Sequence, residues 1–241
     1  MTSVLSLRLA GPLQSWGASA RFTRRTTESA PTKSAVIGML AAAAGIERGD
    51  DAGLKPLAAL RFAVRIDQPG TRVRDFQTAH HSASGKSMPL SERFYLADAV
   101  FVAAVEGDPT LLGRLHAALR NPVYPPFLGR RSCPPAQPVD LGLHDHTSLM
   151  EVLDEVPWQA SAWYRRQHRG RTDIELTVLR EARDSEAEFA DTFRDQPISY
   201  AAEHRRHALR AVVSDSVRIT GSSARQLPLH DPFDALKEES A

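Results

Sequence analysis

The chain has 241 residues, of which 42% are hydrophobic and 24% charged, and its formal net charge at pH 7 is +1. These values are near the averages for folded proteins, so they argue against a disordered chain and allow one large domain or two small ones. The longest apolar run, residues 35–44, is too short to span a membrane, and a single cysteine, Cys133, excludes an internal disulfide. We therefore expect a cytoplasmic protein with no signal peptide and no membrane contact.

The first elements are predicted as a strand, a long loop and a helix. Residues 3–9 form a short apolar strand, which Gly11-Pro12 ends. The loop at residues 10–30 follows, and a helix then runs from a cap at Thr32 to a stop at Gly45.

The next elements complete a mixed pattern of strands and helices. Residues 60–66 alternate apolar and basic side chains, which predicts a half-buried strand with Arg61 and Arg65 on its exposed face. One strand is expected over residues 93–105, a helix over 108–121, and a short strand near 139–143.

This order indicates an α+β fold with a ferredoxin-like, RRM-like βαββαβ domain over residues 1–145. The polar segment between the second and third strands predicts a protruding hairpin, or thumb, at about residues 72–92. Residues 146–241 are expected to form a smaller, β-rich C-terminal region. Its strand-like stretches are 149–152, 174–179 and 208–219, and its solvated parts are the acidic segment 181–195 and the acidic tail after Pro228.

Charge is unevenly distributed along the chain. Residues 1–78 carry 11 Lys/Arg against 6 Asp/Glu, whereas the remainder carries 19 against 23. Three stretches contain arginines and no acidic residue, namely 8–27, 109–139 and 157–172. Such stretches suit a polyanionic ligand, although a solvated surface also explains any one of them.

The loop at residues 10–30 is long enough to suggest a functional role. Gly11 and Gly17 allow close backbone approach, Gln14 offers an amide, and Trp16 offers a stacking face. Trp16 is equally compatible with a core position that anchors the loop. The loop also contains three arginines that could pair with phosphates: Arg21, Arg24 and Arg25.

Two further segments suit phosphate binding. The helix start at Thr32-Lys33-Ser34 offers free amides and a cation, although an ordinary capped helix remains possible and the glycines of an ATP-binding loop are missing. The segment Leu128-Gly-Arg-Arg-Ser-Cys-Pro134 combines a glycine, two arginines and a hydroxyl. Cys133 is more consistent with packing than with nucleophilic chemistry, and we predict no metal site and no cofactor.

The hairpin contains residues that suit ribonuclease chemistry. A histidine at position 80 or 81 could act as general acid or base, and Lys86 could stabilise a phosphorane, with Tyr95 nearby in sequence. A metal-independent endoribonuclease is therefore an open alternative.

Five blocks together resemble the CasD (Cas-five) family of the RAMP superfamily, found in the type I-E CRISPR surveillance complex Cascade. The blocks are Leu9-Ala-Gly-Pro-Leu-Gln-Ser-Trp-Gly17, Pro31-Thr-Lys-Ser-Ala-Val-Ile-Gly38, Leu60-Arg-Phe62 with Asp75-Phe-Gln-Thr78, Arg93-Phe-Tyr-Leu-Ala-Asp98 and Leu128-Gly-Arg-Arg-Ser-Cys-Pro-Pro135. From about residue 140 onward the resemblance is weak.

The resemblance implies a non-catalytic subunit that serves antiviral defence by binding the 5′ handle of crRNA and capping the crRNA-bound backbone. Its implied partners are crRNA, a neighbouring backbone subunit and the large PAM-reading subunit, with target DNA reached only through the complex. The handle surface would comprise Gln14, Ser15, Trp16, Gly17, Thr32, Lys33, Ser34, Gly129, Arg130, Arg131, Ser132 and Cys133. Residues 80–88, with His81 and Lys86, would be the thumb. A subtype I-C relative cuts precursor RNA with a Tyr/Lys/His set, which keeps His80, His81, Lys86 and Tyr95 as alternative catalytic residues.

Overall fold

The computed structural model describes residues 2–17 and 24–220. In chain order, the strands of these residues are β1 (Ser3–Ala10), β2 (Leu13–Gln14), β3 (Arg24–Arg25), β4 (Arg61–Gln68), β5 (Thr71–Gln77), β6 (Ser91–Ala97), β7 (Val100–Gly107), β8 (Asp140–Asp145), β9 (Asp173–Glu181), β10 (Asp191–Ser199) and β11 (Arg206–Thr220). The helices are α1 (Lys33–Ala43), α2 (Asp51–Ala58), α3 (Pro109–Arg120), α4 (Leu149–Glu155) and α5 (Ala162–Gln167), with a 3₁₀ helix at Asp184–Phe189. Over the described ranges, none of the helices combines the length and the hydropathy that crossing a bilayer would require.

Seven strands form one antiparallel sheet in the order β10-β11-β9-β4-β7-β1-β8. Its two faces are buried by different helices because side chains alternate along each strand. In β1, Leu5, Leu7 and Leu9 pack with the side chains of α1, α2 and α3. Val4 points to the other face, where it packs with Val152 of α4. A strand that is buried on both faces has a nearly continuous apolar sequence, and β7 is an example.

A second, smaller sheet is built around β6. β5 pairs with one edge of β6, from Thr71 opposite Ala97 to Gln77 opposite Ser91, while β2 and β3 pair with the other edge. The chain between β5 and β6 is exposed throughout residues 78–90 and is bridged at His80 and Ser87. The hairpin expected from the sequence is therefore present and projects from the body of the protein.

The single strand expected at residues 93–105 is wrong, because the chain turns between β6 and β7 and the two strands belong to different sheets. Asp98 has a positive φ of 56°, which ends the extended conformation. Its backbone N–H donates to the carbonyl of Pro12 at 3.1 Å, and its carbonyl accepts from the Gln68 side chain. We call this turn the Asp98 corner.

Other elements also differ from the sequence prediction. Residues 149–152 begin helix α4 rather than a strand, since Ser148 and Glu151 form a capping box at its start. Helix α2, capped by Asp50, was not predicted. Within the acidic segment 181–195, the 3₁₀ helix has no buried residue. The segment ends in β10, however, where Asp195 is only 1% exposed.

Arg65 was predicted to be exposed and is instead completely buried. β4 lies in the middle of the large sheet, and the segment after α4 covers its second face. The Arg65 guanidinium pairs with Asp67 at 2.7 and 2.9 Å, and it donates to the backbone carbonyls of Val156 at 2.7 Å and Pro157 at 3.1 Å. This pair fixes residues 153–159 against the sheet, because a buried charge must keep all its partners.

The strands after residue 146 continue the large sheet, since β9 pairs with β4. The division of the chain at residue 145 therefore stays a prediction. The acidic tail after Pro228 lies outside the described residues.

Candidate nucleic-acid interface

The Gly11–Gly17 segment and the Leu128–Cys133 turn, predicted separately, form one structural unit. Ser15 N–H donates to the Leu128 carbonyl at 3.1 Å, and Leu128 N–H donates to the Cys133 carbonyl at 2.7 Å. Gly129 has a φ of +83°, and a Cβ atom at this position would overlap the Ser15 carbonyl. Only glycine permits this approach, so the turn depends on its sequence at this residue.

Gln14, Ser15 and Trp16 lie inside the protein, whereas Gly17 is exposed. The Gln14 amide donates to the carbonyls of Leu9 at 3.1 Å and Ala99 at 2.6 Å, and its oxygen accepts from the Trp16 indole N–H at 3.1 Å. The stacking and amide contacts predicted for Trp16 and Gln14 are wrong for this conformation, because both side chains are buried and paired. Trp16 is instead the core anchor that the sequence left open.

The start of α1 is also closed to a phosphate. Thr32, Lys33 and Ser34 are buried, and the Thr32 side chain makes no capping hydrogen bond. Asp195 occupies the positive end of the helix instead, accepting from Lys33 N–H at 2.8 Å.

The Lys33 side chain has its own partner. The Lys33 ammonium pairs with Glu181 at 2.7 Å, and burial lowers the pKa of Lys33. The phosphate site predicted at this helix start is therefore replaced by an internal carboxylate network, to which Arg210 contributes two hydrogen bonds to Asp195 at 2.7 and 2.8 Å.

Arginines and aromatic rings gather instead on the small sheet. Arg24 and Arg72 place their guanidinium groups 5.4 and 5.2 Å from the centre of the Phe94 ring, and Arg74 lies 4.2 Å from that of Phe76. The register explains this, since Arg74 stands opposite Phe94 and Arg72 shares its face. Arg72, Arg74 and Phe94 are not among the predicted site residues, although the alternation in Thr71-Arg-Val-Arg-Asp-Phe-Gln77 indicates a strand with arginines on one face.

Arg130 covers the opposite face of the small sheet. Its guanidinium lies 4.6 Å from the centre of the Tyr95 ring and donates to the Arg25 carbonyl at 2.8 Å. Its Nη1 atom is buried and has no hydrogen-bond partner among the described residues. Arg130 thus joins the Leu128–Cys133 turn to β3 and keeps one donor unused.

The remaining predicted residues divide between surface and core. Arg131 and Ser132 are exposed, as is Arg24, while Arg21 lies outside the described residues. Cys133 is buried, and burial raises the pKa of its thiol, which disfavours the reactive thiolate.

The alternative catalytic residues are not brought together. His80, His81 and Lys86 are exposed in the hairpin, whereas Tyr95 is 7% exposed beneath Arg130. Tyr95 pairs with Val73, which is four residues, or about 13 Å of strand, before the end of β5, and His80 lies beyond that end, where it pairs with Ser87. No cluster of His, Cys, Asp or Glu suited to a metal ion occurs within residues 2–17 and 24–220.

We call the small sheet and the Leu128–Cys133 turn the arginine interface. Its basic residues are Arg24, Arg25, Arg72, Arg74, Arg93, Arg130 and Arg131. Its acidic residues are fewer, and Glu92 contacts Arg24 at 3.9 Å and Arg74 at 3.8 Å. The excess of guanidinium groups favours a ligand that carries several negative charges.

Comparisons with known proteins agree on one family. The sequence profile of a family described as "CRISPR-associated protein (Cas_Cas5)" matches residues 4–213. The CRISPR system Cascade subunit CasD of Escherichia coli is 36% identical over 160 residues, which are 59% of this chain and 71% of that protein.

Two solved structures are similar over most of the chain. One is described as the crystal structure of a Cas protein; it has a TM-score of 0.67 and 35% identity and covers 89% of this chain and 94% of its own. The other belongs to a CRISPR RNA-guided surveillance complex, with a TM-score of 0.70, 29% identity, and coverage of 92% and 95%.

Proposed function

The chain belongs to the Cas5 family of CRISPR-associated proteins, and we propose that it is a subunit of a type I-E crRNA-guided surveillance complex. In this proposal it binds the 5′ handle of the crRNA and caps the RNA-bound backbone. Its similarity to the Cascade subunit CasD and to a chain of a surveillance complex supports the assembly role. The observation that carries the RNA-binding role is the arginine interface.

The arginine interface suits the bent backbone of a short RNA segment. Each guanidinium group presents several N–H donors in a plane, which matches the oxygens of a phosphate. Packing against Phe94 and Phe76 orients Arg24, Arg72 and Arg74 at the surface. Arg72 also donates to the Thr27 carbonyl at 2.9 Å, and a phosphate would replace the long contacts of Arg24 and Arg74 with Glu92. On the turn, Arg131 is exposed, and Arg130 is held against Tyr95 and the Arg25 carbonyl beside it. The handle would pass between the small sheet and the Leu128–Cys133 turn.

The projecting hairpin is the proposed thumb. Residues 78–90 are exposed and carry His81 and Lys86 beyond the end of the small sheet. A segment of this length can separate adjacent nucleotides and bend the RNA beside the handle. We also propose that residues 3–145 form a ferredoxin-like unit, since β4-β7-β1-β8 are adjacent in this order and α1 and α3 cover one face.

The proposed partners follow from the same assembly. They are crRNA, a neighbouring backbone subunit and the large PAM-reading subunit, and target DNA is engaged by guide pairing within the complex. Co-expression with these subunits and repeat-derived RNA, followed by sizing and extraction of bound RNA, tests the assembly. Recovery of the chain alone and free of RNA would contradict it.

We propose that the subunit is non-catalytic. The separation of Tyr95 from the hairpin histidines supports this, because general acid–base chemistry requires its groups within hydrogen-bond reach of the same phosphate. Incubating the purified chain with repeat RNA in EDTA should leave the RNA intact. Cleavage that His81→Ala abolishes would establish the ribonuclease instead.

RNA binding is tested by removing the exposed arginines of the interface. The slope of log affinity for handle RNA against log salt concentration, or salt slope, measures the number of phosphate contacts. We expect this slope to be shallower by about 2 in the triple variant Arg24→Ala, Arg74→Ala, Arg131→Ala, since each lost phosphate contact removes about 0.7. A matched variant removes three exposed arginines elsewhere, Arg48, Arg114 and Arg218. Equal slopes for the two variants would contradict the proposed interface.

A further inference from the structure

A second basic surface lies outside the arginine interface. Residues 157–172 contain no acidic residue and carry four arginines, which are Arg165, Arg166, Arg169 and Arg171. All four are exposed, and none forms an ion pair with another described residue. Their charge is therefore available to a ligand.

An aromatic cluster supports these arginines. Tyr164 packs edge-on against Trp158, with ring centres 6.1 Å apart, and lies 4.7 Å from the ring of His168. Trp163 meets Tyr164 at 90°, with centres 5.7 Å apart, and is 44% exposed. We call residues 157–171 the tryptophan platform, because it presents an accessible indole among guanidinium groups.

The tryptophan platform is fixed to the large sheet. The Trp158 indole donates to the Asp67 carbonyl at 2.9 Å, and Gln159 N–H donates to the Asp67 carboxylate at 2.6 Å. Ser161 donates to the Gln68 side chain through its N–H at 3.1 Å and its hydroxyl at 2.8 Å. These partners lie at the end of β4, so the arginines extend from a rigid base rather than from a loose loop.

The tryptophan platform lies at the same end of the sheet as the Gly11–Gly17 segment. Gln68, which holds Ser161, also donates to the Asp98 carbonyl, and Asp98 N–H bonds to Pro12. Arg8 makes a second connection, because its guanidinium donates to the Gln159 side chain at 3.4 Å and to the Pro138 carbonyl at 3.2 Å. Phe94 is four residues from the Asp98 corner, about 13 Å along β6. The anchored part of the platform, at Gln159 and Ser161, is thus a neighbour of the arginine interface.

We propose that the tryptophan platform is a second binding surface for single-stranded nucleic acid. The four arginines would contact consecutive phosphates, and Trp163 would stack on an unpaired base. An accessible indole surrounded by arginines, next to a surface of the same charge, favours a nucleic-acid strand over an acidic protein. The inference rests on the proposed function for its ligand class, but it uses none of the interface residues.

The test is fluorescence-anisotropy titration of the full-length chain with labelled 20-nucleotide single-stranded RNA, single-stranded DNA and duplex DNA. The platform variant replaces Arg165, Arg166, Arg169 and Arg171 by alanine. Its matched control replaces four exposed arginines elsewhere, namely Arg48, Arg114, Arg194 and Arg218.

The platform variant should reduce the salt slope for a single strand by up to about 2.8 relative to its control, at about 0.7 per phosphate. Replacing the same four residues by lysine should restore most of the slope, because phosphate contacts need only the charge. Tighter binding of the RNA probe would identify the crRNA as the ligand, and tighter binding of the single-stranded DNA probe would identify the displaced or target DNA strand. A loss confined to duplex DNA would overturn the single-strand assignment.

Trp163 gives an independent measurement. Trp163→Ala should weaken single-strand binding about fivefold or more, and Trp163→Phe should weaken it less, since stacking needs an aromatic face. Unchanged affinity in the platform variant, alongside reduced affinity in the Arg24, Arg74 and Arg131 variant, would overturn the platform and leave the proposed function standing. If the platform variant keeps its RNA affinity and loses a partner subunit in co-purification, the surface binds protein and the inference is wrong.

Discussion

Gly129→Ala is expected to destabilise the protein through one defined contact. The φ of +83° at Gly129 costs an alanine about 1 kcal/mol or more, as for any L residue in the left-handed region. The added Cβ also overlaps the Ser15 carbonyl, and the shift that relieves such overpacking costs about 1 to 3 kcal/mol. The two effects together predict a loss of about 3 kcal/mol.

Gly170→Ala is the matched control for this prediction. Gly170 has a φ of +86°, but a Cβ atom there would meet nothing within 4 Å. Only the conformational cost remains, about 1 kcal/mol. At roughly 2 to 4 °C per kcal/mol for a chain of this size, the thermal midpoint should fall by about 6 to 12 °C in Gly129→Ala and about 2 to 4 °C in the control.

Thermal and urea unfolding of both variants checks the difference. Handle-RNA affinity should fall in Gly129→Ala as well, because the turn positions Arg130 against β3. Equal destabilisation of the two variants would refute the close packing of the turn against the Gly11–Gly17 segment.

Arg65→Ala should lower the free energy of unfolding by about 3 to 5 kcal/mol, because it leaves Asp67 buried without its partner. Arg61 is half-exposed, so Arg61→Ala should cost about 1 kcal/mol or less. Urea titration of both variants measures the difference. Burial lowers the pKa of His207 below its usual 6.5, so the unfolded chain takes up a proton first and the free energy of unfolding should fall as the pH drops below 6.5. His207→Gln should remove that part of the pH dependence, and an unchanged pH profile would contradict it. Lys33→Met should leave the salt slope for handle RNA unchanged, since Lys33 is paired inside the protein; a decrease of about 0.7 would show that it binds a phosphate.

Local sequence signals predicted the elements that depend on them. The apolar runs at residues 3–9, 174–179 and 208–219 identified strands, and the Asp108 cap identified helix α3, which the structure confirms. Ser148 and Glu151 also have the spacing of a capping box, which outweighs the strand-like apolar residues at 149–152 and starts helix α4.

Burial of polar residues could not be predicted from local pattern. Alternation in β4 places Arg65 on the face opposite the main core, and only the covering segment after α4 makes that face an interior. Lys33 likewise looked exposed because Asp195 and Glu181, which enclose it, lie 162 and 148 residues away in sequence and approach it only in the folded sheet.

Only part of the candidate site could be predicted, because the rest depends on contacts between distant segments. The Gly11–Gly17 segment and the Leu128–Cys133 turn lie together as expected, but Gln14 and Trp16 stabilise the site from within. The arginines of β5 became part of the site through their pairing with β6, a register that no single stretch of sequence specifies.

Binding of the crRNA 5′ handle is tested most directly by titrating the purified chain with handle RNA and with an RNA of the same length and scrambled sequence over a range of salt concentrations. If about five phosphates are contacted, the slope of log affinity against log salt should be near −3.5, and the handle should bind more tightly than the scrambled RNA. A salt-independent affinity, or equal binding of the two RNAs, would contradict the proposal that this chain holds the handle.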